Sequence, residues 1–454
     1  MHGYIIRRLP ALPERHASAL EGACMLPPGT SATLPPLQTA RFQEKREALL
    51  DAAARHFNAQ GVKGATLGEI AAQVGLVTTS LTYYYRKKED LATACLLRAI
   101  AVHQALAVQA GAEATVAARV SRFLALHGQL LADMQTGAHP VLIGFGDIRA
   151  LPGAQAATVF AAYTEMFRRL RALLYGPCTT GLGREDLNAR AHLLLSAAHW
   201  LRAWIHRHAV DDYPRVAQRH AQLLLHGLAQ AGQPWPDDAA MATLGLDAVA
   251  AAALFVPGTR QPHDDSDTAD AFLRAATVLV NEQGYRGASV ARISARLNLT
   301  KGSFYHHHDT KHDLISACFG RSFAVLGQTL RAAAGAPAPA WQRACAATAT
   351  LVRFQLGPLG PLLRSSATSA LPDEPQRAVV RRQLQQLTGL IAGLLVDGLE
   401  DGSLRPHDPA IAAQLLASAI NAAAELQRWV PGISPANATA LYTRPALLGL
   451  LCPT

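Results

Sequence analysis

Charge is scarce in this chain. Asp, Glu, Lys and Arg make up 17 % of its 454 residues, against roughly 25 % in ordinary soluble domains. Aromatic residues are few as well, at 6 %, while half of the chain is apolar. That balance excludes disorder over most of the length, and the abundance of alanine favours packed helices over strands. No apolar run reaches the ~18 residues of a membrane span; Ala248–Val256 is too short, so no membrane partner is expected. Met1–Pro10 carries Arg7 and Arg8 after its apolar residues, which is not the order of a secretory signal. The six cysteines (Cys24, Cys95, Cys178, Cys318, Cys345 and Cys452) form no CxxC pair. Neither a zinc knuckle nor a disulfide framework is expected, and a reducing cytoplasm is the expected location.

Catalytic signatures are missing too. There is no nucleophile elbow, no P-loop and no dinucleotide fingerprint, and Gly176–Gly183 reads as an irregular loop, so no enzyme activity is expected. His308 and His312 share a helical i,i+4 spacing after His306-His307, but no Glu stands between them as in a zinc hydrolase. No metal and no cofactor are expected.

What the chain does contain is a second copy of itself. Shifted by 223 residues, Ala48–Leu91 lies on Ala271–Leu314 without a gap, with 16 of 44 positions identical and 11 of those not alanine. The shared residues include Asn58/Asn281, Gly61/Gly284, Ile70/Ile293, Ser80/Ser303, Lys88/Lys311 and Asp90/Asp313. With the shift reduced to 222, Ala191–Ala197 lies on Ala413–Ala419 around a common Leu-Leu-x-Ser-Ala. A period this long means domain duplication, since solenoid repeats run about 20–50 residues.

Each half opens with three helical segments. Phe42–Gln60 carries Ala48, Leu49, Ala52, Ala53 and Phe57 at helical spacing, and Gly61 is placed to end it. Thr66-x-x-Glu69 is a capping box for a second helix that buries Leu67, Ile70, Ala71 and Val74 and ends at Gly75. A third runs from about Val77 to Tyr84, with Thr78 serving as the cap that Val77 cannot be. The second half repeats the plan at Ala269–Gln283, Ser289–Leu297 and Thr300–His307. Two short helices across a tight turn are a helix-turn-helix, whose second helix enters the major groove of DNA. Groove-facing positions need short or polar side chains, which Thr78, Thr79, Ser80, Thr82 and Tyr83 supply in one copy and Lys301, Gly302, Ser303 and Tyr305 in the other. Lys88 and Lys311, each opening the next helix, are candidate phosphate ligands. The net charge of +9 permits such a partner without choosing it.

These segments resemble the amino-terminal motif of the TetR-type (tetracycline-repressor) regulators. In the second half Gly284, Ser289, Ile293, Leu299, Thr300, Gly302, Ser303, Phe304, Tyr305, His307, Lys311, Asp313 and Leu314 sit in its columns. In the first, Gly61, Thr66, Ile70, Ala71, Gly75, Leu76, Ser80, Leu81, Tyr84, Lys88, Asp90 and Leu91 do. Thr82 stands where the family has Tyr, Tyr85 and His308 where it has Phe, and Arg292 in place of the capping-box Glu. The resemblance implies an all-α fold: two tandem copies of a three-helix head followed by a helical ligand-binding and dimerisation domain. It also implies a sequence-specific, ligand-responsive repressor that binds a double-stranded DNA operator and an unnamed small-molecule effector. The alternative is a ligand-sensing or scaffold protein that has lost DNA binding in one or both heads. The expected organisation is a disordered tail at 1–40, heads at 41–92 and 267–315, helical domains at 93–233 and 316–454, and a linker with a short helix at 234–266. Since family members are usually homodimers, one chain with two heads implies an internal pseudo-dimer formed by the helices near Asp186–His208 and Asp408–Trp429, or else a homodimer of chains. Candidate ligand contacts are the aromatic and His residues Phe123, His127, Phe145, Phe160, Tyr163, Phe167, His199, Trp200 and Trp204, which thin to Trp341, Phe354 and Trp429 in the second half. The first half is therefore the expected pocket. Cys95 and Cys318, in one column, read as small packing residues.

Overall fold

The computed structural model describes residues 40–254, 265–299, 310–371 and 374–452. Residues 1–39 and 300–309, the latter with the expected recognition residues Thr300, Lys301, Gly302, Ser303, Tyr305 and His307, lie outside them. Among the described residues there is no strand, only one isolated bridge between Ala229 and Leu404.

The first head contains α1 (Ala40–Gly64), α2 (Leu67–Gln73) and α3 (Thr78–Tyr84). Gly61 breaks the regularity of α1 at φ 71, a left-handed value that glycine adopts freely. The turn before α2 closes as the capping box requires: the Glu69 amide donates to Thr66 Oγ1 at 3.2 Å, and the Thr66 amide to Glu69 Oε2 at 3.0 Å. The expected Thr78 cap is not found. Val77 occupies the cap position of α3, an apolar side chain that makes no capping bond.

Five longer helices complete the half: α4 (Lys88–Gly111), α5 (Val116–Thr136), α6 (Gly153–Ala172), α7 (Arg184–Trp204) and α8 (Tyr213–His226). The linker holds two short helices where one was expected, α9 (Asp238–Ala242) and α10 (Leu246–Ala252). The second half follows with α11 (Asp265–Gly287), α12 (Val290–Arg296), α13 (Lys311–Gly335), α14 (Ala340–Leu356), α15 (Glu374–Glu400), α16 (Pro409–Ala422), α17 (Leu426–Trp429) and α18 (Arg444–Leu448). At the turn after α12, Asn298 takes φ 56 where the first half uses Gly75 at φ 67, as Asn can. The linker helices pack on α13 and α14, tied by Gln342 Nε2 to the Ala240 carbonyl at 2.7 Å and by Arg353 to Asp247 at 2.9 Å.

Windows of α4 and of 409–429 are long and apolar enough to cross a membrane, which counting uninterrupted apolar runs does not detect. Half or more of each window is buried inside the protein, as core helices are.

Identical positions in the two copies carry identical ties. Arg98 on α4 bonds Glu47 at 3.0 Å and the Val141 carbonyl at 2.8 Å; Arg321 on α13 bonds Asp270 at 2.9 Å and the Leu359 carbonyl at 2.6 Å. Asn58 donates to the Leu142 carbonyl at 2.9 Å and accepts from the Gly144 amide at 2.8 Å. Asn281 donates to the Leu362 carbonyl at 2.9 Å and accepts from the Arg364 amide at 3.1 Å. Each asparagine thus pins its head to the loop after the second long helix. Cys95 and Cys318 are free thiols, each donating to a carbonyl of its own head, Leu50 and Leu273. Burial pushes both up to about 12, so they pack as small apolar groups.

The halves meet where α7 packs on α16 and α17, and α8 on α16. Backbone bonds cross in both directions, from the Leu228 amide to the Leu447 carbonyl at 2.8 Å and from the Leu450 amide to the Leu224 carbonyl at 2.9 Å. Gly227 (φ 68) and Gly449 (φ 95) end α8 and α18 at the crossing, and a Cβ on either would lie 2.2 or 2.3 Å from the opposite backbone. Arg190, 1 % exposed, reaches across to the Leu450 and Cys452 carbonyls at 3.0 and 3.1 Å.

Candidate functional site

The outer face of the first head is formed by α3. Leu81, 0 % exposed, anchors the helix, while Thr78, Thr79, Ser80 and Thr82 are exposed and Tyr83 is 77 % exposed. Thr82 returns its hydroxyl to the Thr79 carbonyl at 2.7 Å, which keeps the row short. Tyr84 is partly buried and meets the Tyr83 ring edge-on at 5.6 Å. Tyr85, in the family's Phe column, turns inward and accepts a bond from Arg46 Nε at 3.2 Å. Lys88 is partly buried; its ammonium donates to the Ala65 carbonyl at 2.8 Å and so ties α4 to the turn ahead of α2. In the second head Ser289 caps α12 by accepting the Arg292 amide at 3.3 Å, and Lys311 opens α13 behind a Thr310–Asp313 capping box.

A second feature lies between the halves, a cavity of about 580 Å³. The expected ligand residues His127, Phe145, Phe160, Tyr163, His199, Trp200 and Trp204 line it. Two do not. Phe123 is 0 % exposed inside the bundle beside His127, and Phe167 packs on Trp429 with ring centres 4.5 Å apart. Nor does the cavity belong to the first half alone, because Trp429, Gln414 and Glu425 from α16, α17 and the turn between them form its opposite side. Trp200 Nε1 donates to Gln414 Oε1 across this boundary at 2.9 Å.

One region of the lining is dominated by aromatic and imidazole rings, with the Arg202 guanidinium beside them. The ring of His103 lies 5.2 Å from that of His127, 5.3 Å from Phe145 and 5.9 Å from His199. Burial holds His103 down to about 4 and His127 to about 3, and it keeps His199 well below the usual imidazole range, aided by its two neighbours. All three are neutral near pH 7. Tyr163 continues this surface toward Trp429, with ring centres 5.5 Å apart.

Elsewhere the lining is cationic. Arg149 meets Glu425 at 2.6 Å, and Arg364 bonds the same carboxylate oxygen. Burial alone would raise Glu425, but the flanking Arg364 and Arg149 prevail and hold it below the usual carboxylate range, so it is ionised. Arg428 lies over the Phe160 ring, 4.1 Å from its centre. Arg149 also donates to the Asn281 carbonyl at 2.8 Å, which joins the cavity wall to α11 of the second head.

Sequence reasoning did not single out His103, Arg149, Arg364 or Glu425. Asn58 and Asn281 were visible as an identical pair, but their partners lie more than 80 residues away in the chain.

Residues 49–95 and 272–318 each match the family described as bacterial regulatory proteins, tetR family. A curated relative, the transposon Tn10 TetC protein of Escherichia coli, is 33 % identical over 66 residues, which cover 14 % of this chain and 34 % of that protein. The chain thus spans about a third of that relative's length. Among solved structures, a TetR-family transcriptional regulator from Bordetella parapertussis 12822 is 22 % identical, covering 39 % of this chain and 92 % of the other at a TM-score of 0.34. The TetR-family regulator PfmR of Thermus thermophilus is 21 % identical over 38 % of this chain and 95 % of the other, with a TM-score of 0.32.

Proposed function

From a chain that carries two tetR-family modules in tandem, we propose a sequence-specific, DNA-binding transcription regulator, working in the cytoplasm as a ligand-responsive repressor. The observation that carries this reading is α3: one buried leucine seats it, and every other side chain that it exposes is short, hydroxylated or aromatic. Such a helix can approach base edges closely, while cations at its flanks take phosphates. In this reading Thr78, Thr79, Ser80, Thr82 and Tyr83 contact the groove, Thr66 and Tyr84 support its edge, and Lys88 holds a phosphate beside the first turn of α4. Ser289, Thr300, Lys301, Gly302, Ser303, Tyr305, His307 and Lys311 serve the second head in the same way. The packing of α7 on α16 supports a pseudo-dimer within one chain, so the operator would combine two unlike half-sites.

The interhelical cavity supports an effector role. A ligand shifts the heads only to the extent that it binds one arrangement better than another. Selection of bound sites from random duplex DNA, at about 50 and 200 mM salt, tests the proposal, because phosphate contacts weaken steeply over that range. Two unlike half-sites should emerge, and Thr79→Glu should abolish enrichment of one. A single enriched half-site would overturn the two-headed form. No enrichment at either salt would leave the ligand-sensing or scaffold reading in its place.

A further inference from the structure

The lining of the cavity is unevenly charged. Among its described side chains there are six arginines and one acid, Glu425. Arg381 is neutralised outside the cavity by Glu374, Arg202 donates to the Leu142 carbonyl at 3.0 Å, and Arg207 is exposed to solvent. Arg149 and Arg364, both mostly buried, share a single carboxylate, however, while the exposed Arg428 lies over the Phe160 ring. Enclosed charge left uncompensated is costly, and a planar guanidinium matches the two oxygens of a carboxylate. The aromatic region offers the opposite chemistry, since His103, His127 and His199 are neutral there and Phe145 and Tyr163 pack among them. A volume of about 580 Å³ suits a small molecule that spans both regions.

We propose that the cavity binds a small organic acid, with an apolar or flat body among the buried rings of His103, His127, Phe145 and His199 and a carboxylate on the Arg149–Arg364–Arg428 cluster, where it competes with Glu425. Arg149, on this wall, is bonded to the second head at the Asn281 carbonyl. An acid that draws Arg149 inward loosens that bond, so its first effect falls on the second head. The inference about the head rests on the regulator reading above; the inference about the ligand class does not.

The ligand class is tested on the full-length protein without DNA, and the link to the second head by repeating the DNA-binding measurement with and without the acid. Fluorescence of Trp200 and Trp429, both in the lining, is titrated with decanoate and 2-naphthoate and with the matching neutral amides. Both acids should quench saturably, each about tenfold more tightly than its amide. Glu425→Gln should tighten the acids by about tenfold and leave the amides unchanged, the opposite of what a merely structural loss would do. Arg364→Gln should weaken the acids. Equal affinity for acid and amide, no saturable binding by any of the four, or acid binding that weakens in Glu425→Gln would each overturn the proposal; if that variant does not fold, the comparison of acid with amide in the unaltered protein decides. Acid binding that leaves DNA affinity untouched would uphold the ligand class while removing the link to the second head.

Discussion

At position 103 the first half has a buried histidine, and at the matching place on α13 the second half has Leu326. His192 and His199 on α7 likewise correspond to Gln414 and Asn421 on α16. Yet the struts around these positions are the same in both copies, with Arg98 and Arg321 gripping an acid and a loop carbonyl and Asn58 and Asn281 pinning a loop twice. After duplication, then, the load-sharing contacts between head and body stayed matched while the interior diverged. One copy contributes the neutral imidazoles of the cavity, and the other supplies Arg364, Glu425 and Arg428.

Acid should separate the halves most strongly. Burial depresses His103, His127, His192 and His220 to between about 3 and about 4, and all four belong to the first half. Unfolded, an imidazole takes its proton near 6.5, so between these values the unfolded chain binds more protons than the folded one. Stability is therefore lost as the pH falls, by roughly 2 kcal/mol per histidine between pH 7 and pH 5. Hydrogen exchange should show α4, α5, α7 and α8 losing protection before α13 and α14. Simultaneous loss would break the contrast.

Next in size come the glycines of the crossing. Gly227→Ala and Gly449→Ala each force a left-handed alanine into opposing backbone and should cost about 3 kcal/mol or more. Gly232→Ala, at φ 80 but with nothing within 4 Å, should cost only about 1 kcal/mol. Thermal unfolding of the three variants measures this. A tolerated Gly449→Ala beside a damaging Gly227→Ala would show that the two sides of the interface are not equivalent.

Smaller and more selective is the asparagine pair. Asn58→Ala or Asn281→Ala removes two bonds to a loop and should cost about 1–3 kcal/mol in denaturant unfolding. Combined with Arg149→Ala, the Asn281 variant should be non-additive and the Asn58 variant additive, because Arg149 bonds the backbone carbonyl of Asn281, whose position the Asn281 side-chain bonds hold. Equal coupling at both would erase the asymmetry between the heads.

The first head was legible because it is local. Thr66 and Glu69, Leu81 and the glycine turn act within a few residues, so spacing alone reveals them. The cavity was legible only in part. Its aromatic residues could be named, but whether Phe123 or Phe145 faces the hollow depends on how each helix is rotated, and Phe123 faces the core. The charged cluster was hidden for a different reason. Arg149 and Glu425 lie 276 residues apart and in different copies, and comparing the copies with each other draws attention to what they share.

The crossing at Gly227 and Gly449 also bears on copy number. An interface between separate subunits comes apart when molecules are few, because its occupancy follows concentration. Here both faces belong to one chain, and dilution cannot part them. A cell holding only a handful of molecules would still have every one of them paired.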